Sequence, residues 1–151
     1  LSFADTAIRE TVEELGIPQS VIEIIGQMDT LITPYGVTVD SFPAIIHTEF
    51  NNITNYDRKE VAEIFNVPLS FFINNKPDIY KVNFKITPYA EDETGNKIEL
   101  LPVNEIGLPK RYNNTWHSQK HPVVVYKYNQ YVIWGITANL IEEMIYLMVN
   151  E

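Results

Sequence analysis

The stretch "RETVEELG" at residues 9–16 carries four charged side chains in eight positions, and three of them are glutamates. Residues three or four apart share one face of a helix, so Glu10, Glu13 and Glu14 would form a carboxylate cluster. The apolar stripe of the segment lies elsewhere, which turns the cluster away from the core. Because an exposed pair of like charges costs only about 0.2–0.5 kcal/mol, the charge pattern alone favours a solvated helix face. The alternative is a site whose carboxylates hold a hard divalent cation such as Mg²⁺.

The flanks of this stretch predict a helix over residues 3–15. Ser2 followed by Asp5 gives a start that resembles a capping box. Gly16 suits a C-terminal cap, and Pro18 follows it. The apolar residues of the segment recur at helical spacing, at Ala4, Ile8, Val12 and Leu15.

The composition describes a globular chain of 151 residues, 45% of them apolar, which is enough for one domain with a core. The chain has no cysteine, which excludes a disulfide framework and a thiolate metal site and suits a reducing cytoplasm. No apolar run approaches membrane-spanning length, and the charges within residues 1–10 do not fit a signal peptide. The net charge of −9 argues against a general nucleic-acid binder, although it allows a phosphate substrate that a metal neutralises. We therefore predict a cytoplasmic protein with no nucleic-acid or membrane partner.

The rest of the chain favours one layered domain of α/β or α+β class over residues 1–151. Residues 20–33 are rich in β-branched side chains and are predicted to be extended. Pro34 and Gly36 indicate a turn, after which residues 37–50 resume as a strand.

Regular alternation of apolar and polar residues predicts a strand at residues 80–86. A turn at 91–97, a short strand at 98–101 and a polar loop at 108–122 are predicted to follow. The run "VVVYKYNQYVIWG" then predicts a hairpin that turns near Asn129.

The last segment predicts an amphipathic helix over residues 137–149, with Thr137 as its N-cap. Helical spacing makes one face of this helix apolar and directs it inward. The residues of that face are Leu140, Ile141, Met144, Ile145 and Met148.

Residues 57–73, "DRKEVAEIFNVPLSFFI", allow two interpretations. Asp57 and Glu60 would suit the start of a short helix. The apolar residues Val61 and Phe65, with Val67, would instead form one face of a strand. The local pattern leaves both open for the first part of the segment, and "PLSFFI" indicates a helical turn at its end.

The glutamate-rich helix resembles a known motif. "RETVEELGI" at residues 9–17 matches the second half of the Nudix box, whose consensus ends Arg-Glu-apolar-x-Glu-Glu-x-Gly-apolar; only Thr11 fits loosely. Members of the Nudix family hydrolyse a nucleoside diphosphate linked to another group. The resemblance therefore implies a phosphate substrate and a metal site at the glutamates, against the solvated face that the charge pattern alone favours.

Three further stretches resemble one branch of the family, the coenzyme A diphosphatases. They are "TAIRE" at 6–10, "EVAEIFNVPLSFFI" at 60–73 and "HPVVVYKYNQYVIWGITANLI" at 121–141, while residues 74–120 match only weakly. For residues 60–73 the resemblance implies a strand followed by a short helix. For the fold it implies an α/β/α sandwich with a mixed sheet between helices.

The chain departs from the family pattern at its start. The Gly-Gly and acidic residue of the first half of the Nudix box would lie just before Leu1, and so would the first strands. An Arg- and His-containing segment that the branch carries upstream is also not in these residues. We therefore expect this single Nudix-like domain to be the C-terminal portion of a longer protein, without its N-terminal strands.

The resemblance implies roles for five residues. Glu10, Glu13 and Glu14 would bind Mg²⁺ or Mn²⁺, and Glu13 would also serve the chemistry. Arg9 would orient a glutamate through a charge-assisted hydrogen bond. Glu60 is the candidate for the base that positions or activates water. Its competitors are Glu49, Glu91 and Glu93. A surface role is the simpler interpretation for each of these three.

Other polar and aromatic residues carry weaker hypotheses. Lys110 and Arg111 would either meet substrate phosphates or lie in a solvated loop, and Trp134 at a strand end suits packing better than ligand contact. The three histidines have no metal-ligand spacing with one another: His47, His117 and His121.

The resemblance leads to three functional hypotheses. The leading one is an enzyme that cleaves coenzyme A, or a derivative, into 3′,5′-ADP and a phosphopantetheine product. The second keeps the fold but takes ADP-ribose or another nucleoside diphosphate derivative as substrate. The third is a catalytically silent binding module with the same fold. The expected partner is a small-molecule diphosphate, and the sequence leaves homo-oligomerisation open.

Overall fold

A computed structural model describes residues 2–150 as three α-helices and nine strands. The helices are α1 (Phe3–Leu15), α2 (Leu69–Asn74) and α3 (Gly135–Asn150). The strands are β1 (Ile22–Ile24), β2 (Leu31–Ile32), β3 (Thr38–Val39), β4 (Ala44–Ile46), β5 (Asp78–Ile86), β6 (Tyr89–Glu91), β7 (Lys97–Glu99), β8 (His117–Tyr128) and β9 (Tyr131–Trp134). Single 3₁₀ turns lie at Gln19–Val21, Phe50–Asn52 and Lys110–Asn113.

Helix α1 has the bounds and both caps predicted from the sequence. The Ser2 hydroxyl accepts a hydrogen bond from the Asp5 backbone N–H at 3.1 Å, and the Ser2 N–H donates to the Asp5 carboxylate at 2.9 Å. These reciprocal bonds form a capping box, which satisfies two donors that the first turn would otherwise leave unpaired. At the other end Gly16 adopts the left-handed conformation, with φ of 63°, and its N–H donates to the Val12 carbonyl.

The strands of residues 2–150 form four small sheets. Three are two-stranded and antiparallel, pairing β1 with β4, β2 with β3 and β6 with β7. The fourth has the order β5-β8-β9, and β5 pairs with β8 antiparallel from Asp78↔Val125 to Ile86↔His117. Separate helices and antiparallel strands confirm the α+β class predicted from the sequence. The mixed sheet between helices that the resemblance implies stays a prediction.

The chain divides into two compact units, Leu1–Pro77 with Tyr126–Glu151 and, separately, Asp78–Val125. In the first unit the Phe72 ring packs edge-on against the Tyr126 ring, with centroids 5.1 Å apart, and both residues are buried. In the second unit the buried apolar residues include Val103 and Val124. The expectation of a single domain stays a prediction.

The strand predicted within residues 60–73 is wrong, whereas the short helix after it is confirmed as α2. Residues 58–60 form a turn and no strand is present up to Pro68. The Asp57 carbonyl accepts from the Val61 N–H at 2.8 Å, and the Asp57 carboxylate accepts from the Lys59 N–H at 2.8 Å. These local bonds start a turn at Asp57, so the backbone groups next to it are not available to a strand partner.

Two other boundaries differ from prediction because of neighbouring elements. Strand β8 begins at His117, inside the predicted polar loop, because residues 117–120 pair with Asn83–Ile86 of β5. Helix α3 begins at Gly135, two residues before the predicted N-cap Thr137. Gly135 has a φ of 66°, which glycine adopts at little cost, and this lets the chain turn from β9 directly into the helix.

The remaining predictions for the chain are confirmed in part. The turn near Asn129 is present between β8 and β9, and the predicted strand at 37–50 is reduced to β3 and β4. Met148, predicted to face inward, is 54% exposed. Within residues 2–150 the structure contains no helix with the length and apolar character that crossing a bilayer requires.

Candidate functional site

Helix α1 presents the predicted glutamates on its exposed surface, where Arg9 binds two of them. The Arg9 Nη1 group donates to both carboxylate oxygens of Glu13, at 3.1 and 3.0 Å. Its Nη2 group donates to the carboxylate of Glu10. The bond to Glu13, together with the negative charges of Glu10 and Glu13, raises the pKa of the Arg9 guanidinium. Arg9 therefore offsets the repulsion between these two glutamates.

Glu14 differs from the other two glutamates. Its side chain is exposed, and it has no hydrogen-bond or ion-pair partner within residues 2–150. A carboxylate in this state keeps all of its acceptor positions available for a cation or a water molecule. Glu14 is thus the carboxylate of α1 that is ready to bind a ligand without losing an existing contact.

The donor chemistry of the three glutamates fits a hard divalent cation, because Mg²⁺ and Mn²⁺ prefer oxygen ligands. Their arrangement does not yet form a site: no group of three acidic or histidine side chains within residues 2–150 is placed to hold a metal. Two of the three carboxylates, those of Glu10 and Glu13, are instead bound by Arg9. A cation shared by all three carboxylates would have to displace Arg9 from at least one of them, so the predicted metal site stays a prediction.

The C-terminal end of α1 is held against the segment that carries Glu60. The Asp57 N–H donates to the Glu14 carbonyl at 2.8 Å. Gly16 lies so close to this segment that a Cβ atom there would be 2.3 Å from the Asn55 carbonyl oxygen. The exposed Glu60 lies in the same turn, since its N–H donates to the Asp57 carbonyl at 3.2 Å. The structure therefore brings the backbone of the Glu60 turn to the end of α1 that bears Glu14.

The competing candidates lie on other elements. Glu49 directly precedes a 3₁₀ turn, Glu91 ends β6, and Glu93 follows in the turn between β6 and β7. Arg111 places its guanidinium over the Tyr112 ring, 4.8 Å from the centroid, and Lys110 lies beside it in the same 3₁₀ turn.

The histidines show no common site within residues 2–150. His47 contacts Glu23 across the β1–β4 pair, with Nε2 2.6 Å from the carboxylate, while His117 and His121 lie on β8.

Two cavities were not predicted from the sequence. One, of about 430 Å³, is lined by Trp134, which is 64% exposed, together with Phe65 and other apolar side chains. The expectation that Trp134 serves packing is not met within the described residues. The other, of about 600 Å³, has an acidic rim formed by Asp29, Glu142 and Glu143. Each combines residues far apart in sequence, so no local pattern could have indicated either cavity.

Comparison with known proteins finds relatives named after the family whose motif α1 resembles. The chain is 27% identical over 143 residues to the "Uncharacterized Nudix hydrolase NudL" of Photorhabdus laumondii, covering 95% of this chain and 59% of that protein. It is 26% identical to the protein of the same name in Pectobacterium atrosepticum, covering 57% of it, and 25% identical to that of an Enterobacter species. The resemblance to the Nudix hydrolases is confirmed. No protein-family model matches the chain, which spans 59% and 57% of the first two of these relatives.

Proposed function

We propose that this chain forms the catalytic part of a Nudix diphosphatase, which hydrolyses a nucleoside diphosphate linked to another group. The observation that carries the proposal is helix α1, in which "RETVEELG" lies on an exposed, doubly capped helix with Arg9 bound to two of its glutamates. Similarity to proteins named Nudix hydrolases over 95% of the chain supports it. In the reaction, the oxygen of water bonds to one phosphorus and the bridging P–O bond breaks, which yields two phosphate monoesters.

The glutamates of α1 are the proposed ligands of Mg²⁺ or Mn²⁺, with Glu10, Glu13 and Glu14 as the set. When bound, such a cation lowers the pKa of water and neutralises charge on phosphate oxygens. Glu14, whose carboxylate has no partner within the described residues, is the proposed entry ligand. Arg9 holds Glu10 and Glu13, so a cation bound by all three carboxylates would take the place of Arg9 at one of them at least.

Glu60 is the proposed group that positions the attacking water. The bond from the Asp57 N–H to the Glu14 carbonyl fixes its turn to the end of α1. Glu60 is exposed, so its carboxylate is open to a water molecule. Glu49, Glu91 and Glu93 remain secondary candidates.

The proposed substrate is coenzyme A or a derivative, with 3′,5′-ADP and a phosphopantetheine product released. Support comes from residues 6–10, 60–73 and 121–141, which resemble the coenzyme A diphosphatases. We also propose a cytoplasmic location and a partner set of small-molecule diphosphates, without nucleic acid. The chain has no cysteine and a net charge of −9, and both features are in keeping with that assignment.

The test is a substrate panel assayed on the complete protein with Mg²⁺, with Mn²⁺ and with a chelator. We expect divalent-dependent release of 3′,5′-ADP from coenzyme A, measured by chromatography. If ADP-ribose or another nucleoside diphosphate derivative turns over far better, the proposed branch is wrong and the diphosphatase proposal stands. If no diphosphate turns over with any metal, the chain is better described as a binding module.

A further inference from the structure

One face of the β5–β8 pair concentrates lysine side chains. The register places Lys81 opposite Pro122, Asn83 opposite Lys120, and Lys85 opposite Ser118. Residues directly opposite in an antiparallel pair, and alternate residues along each strand, project on the same side. We call this surface the lysine face; its residues are Lys81, Asn83, Lys85, Ser118 and Lys120, and all five are exposed.

The charges of the lysine face are not balanced locally. Asp78, the acidic residue of β5, pairs with Val125 and therefore projects on the opposite side of the sheet. Within residues 2–150 the three lysines have no ion pair or hydrogen bond from their ammonium groups. Lys97 of the same unit contrasts with them, since its ammonium lies over the Tyr89 ring, 4.1 Å from the centroid.

Protection of the sheet edge explains only part of this pattern. Strand β5 is an edge strand, and lysines on edge strands discourage pairing with another chain. Lys120, however, lies on the neighbouring strand β8 and projects on the same side as Lys81 and Lys85, a clustering on one face that edge protection does not require. It lies diagonally between Lys81 and Lys85, at Cβ separations of about 7–8 Å, where like charges oppose one another unless an anion is bound.

We propose that the lysine face binds a compact anion with two or more phosphate groups. Lysine ammonium groups are effective phosphate binders, and the Asn83 amide and Ser118 hydroxyl add neutral donors between them. The face extends only from Lys81 to Lys85, about 13 Å along the strand, which matches a small phosphorylated molecule better than a nucleic-acid duplex or a bilayer. The acidic character of the chain as a whole, with a net charge of −9, would repel an extended polyanion beyond the face.

This inference is independent of the proposed function, because it concerns binding and requires no hydrolysis. It is tested by titrating inorganic tripolyphosphate into the complete protein by calorimetry, at low salt and with a chelator present. The chelator removes metal-dependent binding at α1, so binding that persists in its presence reports the lysine face. High salt should weaken binding, because the interacting charges are exposed to solvent.

Single substitutions locate the binding. We expect Lys120→Gln and Lys81→Gln each to raise the Kd about tenfold, since each removes a charge-assisted contact. Lys120→Arg should retain binding, because it keeps the charge. The matched control is Lys97→Gln, in the same unit but outside the lysine face, which should leave the Kd unchanged. Thermal melts verify folding, and Lys81→Gln at the exposed edge supplies the comparison if Lys120→Gln does not fold.

Three results would overturn the proposal. The first is a parent protein that binds no tripolyphosphate at low salt. The second is an equal loss of binding in Lys97→Gln, which would show a general charge effect. The third is tighter binding, through the same lysines, of a single-stranded oligonucleotide or of vesicles containing phosphatidylserine, which would make the ligand a macromolecule or a membrane.

Discussion

Helix α1 and the segment of residues 57–68 meet at the bond from the Asp57 N–H to the Glu14 carbonyl, but the sequence specifies them very differently. The signals that fix α1 lie within residues 2–16: two caps and one apolar stripe. The segment 57–68 has an apolar spacing that suits a strand, yet it forms a turn and irregular backbone. Local signals decide structure when they satisfy the backbone by themselves, and the strand pattern had no partner strand to satisfy it.

The segment 57–68 is instead held by contacts to a distant residue, Tyr131 at the start of β9. The Phe65 ring stacks on the Tyr131 ring with centroids 3.9 Å apart, and the Tyr131 hydroxyl donates to the Glu63 carboxylate at 2.9 Å. That hydrogen bond, with a smaller effect of burial, raises the pKa of Tyr131. Contacts across 66 or 68 positions leave no mark in the local pattern.

The largest expected effect tests what α1 contributes to function. If Glu14 is a metal ligand, Glu14→Gln removes it from a hard cation that accepts few substitutes. Loss of a residue that merely supports a ligand already costs about 10–100-fold, so we expect kcat to fall by more than about 100-fold. Folding should be unaffected, because the side chain is exposed and has no partner within the described residues. The measurements are turnover at saturating Mg²⁺ and a thermal melt.

The matched control for this change is Glu99→Gln, on β7 and outside α1, which alters the same charge at an exposed site. It should leave kcat and the melting temperature unchanged. A Glu14→Gln enzyme within a few-fold of the parent would show that the glutamates of α1 are a solvated surface.

The next-largest expected effect concerns Glu60, in the segment of residues 57–68. Glu60→Gln keeps the shape of the side chain but removes its basicity, so we expect kcat to fall by about 100-fold, the lower end for general acid–base catalysis. Turnover of the parent and the variant at saturating Mg²⁺, with a thermal melt of each, provides the check. If Glu60→Gln is as active as the parent, Glu49→Gln, Glu91→Gln and Glu93→Gln should be compared next.

The contrast also explains how much of the structure could be predicted from the sequence. The caps of α1, the alternation of β5 and the turn at Asn129 are local features, and all three are confirmed. The first residues of β8 and the segment before α2 depend on partners far along the chain; the predicted start of β8 and the strand predicted within residues 60–73 were both wrong. At the site, the motif identified the glutamates but not the Arg9 fork that occupies two of them.

The contact between α1 and the segment also makes Gly16 sensitive to substitution. Gly16→Ala combines a left-handed φ of 63° with a Cβ that would lie 2.3 Å from the Asn55 carbonyl oxygen. We expect a loss of about 2 kcal/mol or more in the free energy of unfolding, because the backbone would have to move. Denaturant unfolding measures it.

Two glycines of the same chain separate the causes of that loss. Gly95 has a positive φ of 84° and open space around it, so Gly95→Ala should cost about 1 kcal/mol from backbone strain alone. Gly26 has neither a positive φ nor a neighbour within 4 Å, so Gly26→Ala should cost nothing. If Gly16→Ala is no worse than Gly95→Ala, the close approach to Asn55 does not contribute to stability.

The smallest effect concerns the other end of α1, where the determinants are entirely local. Ser2→Ala removes the hydroxyl that accepts from the Asp5 N–H, and N-cap losses of this kind cost about 1 kcal/mol. For a chain of this size that lowers the melting temperature by about 2–4 °C.

The backbone hydrogen bond from Ser2, followed by its hydroxyl, lowers the pKa of Asp5 below 3.8, so Asp5 stabilises the folded state above its unfolded pKa. That contribution is lost as the pH falls through the folded value, so an Asp5→Asn variant should be less stable than the parent at pH 7 and equal to it below that value. Equal melting temperatures for the parent and both variants at pH 7 would show that the capping box does not stabilise α1.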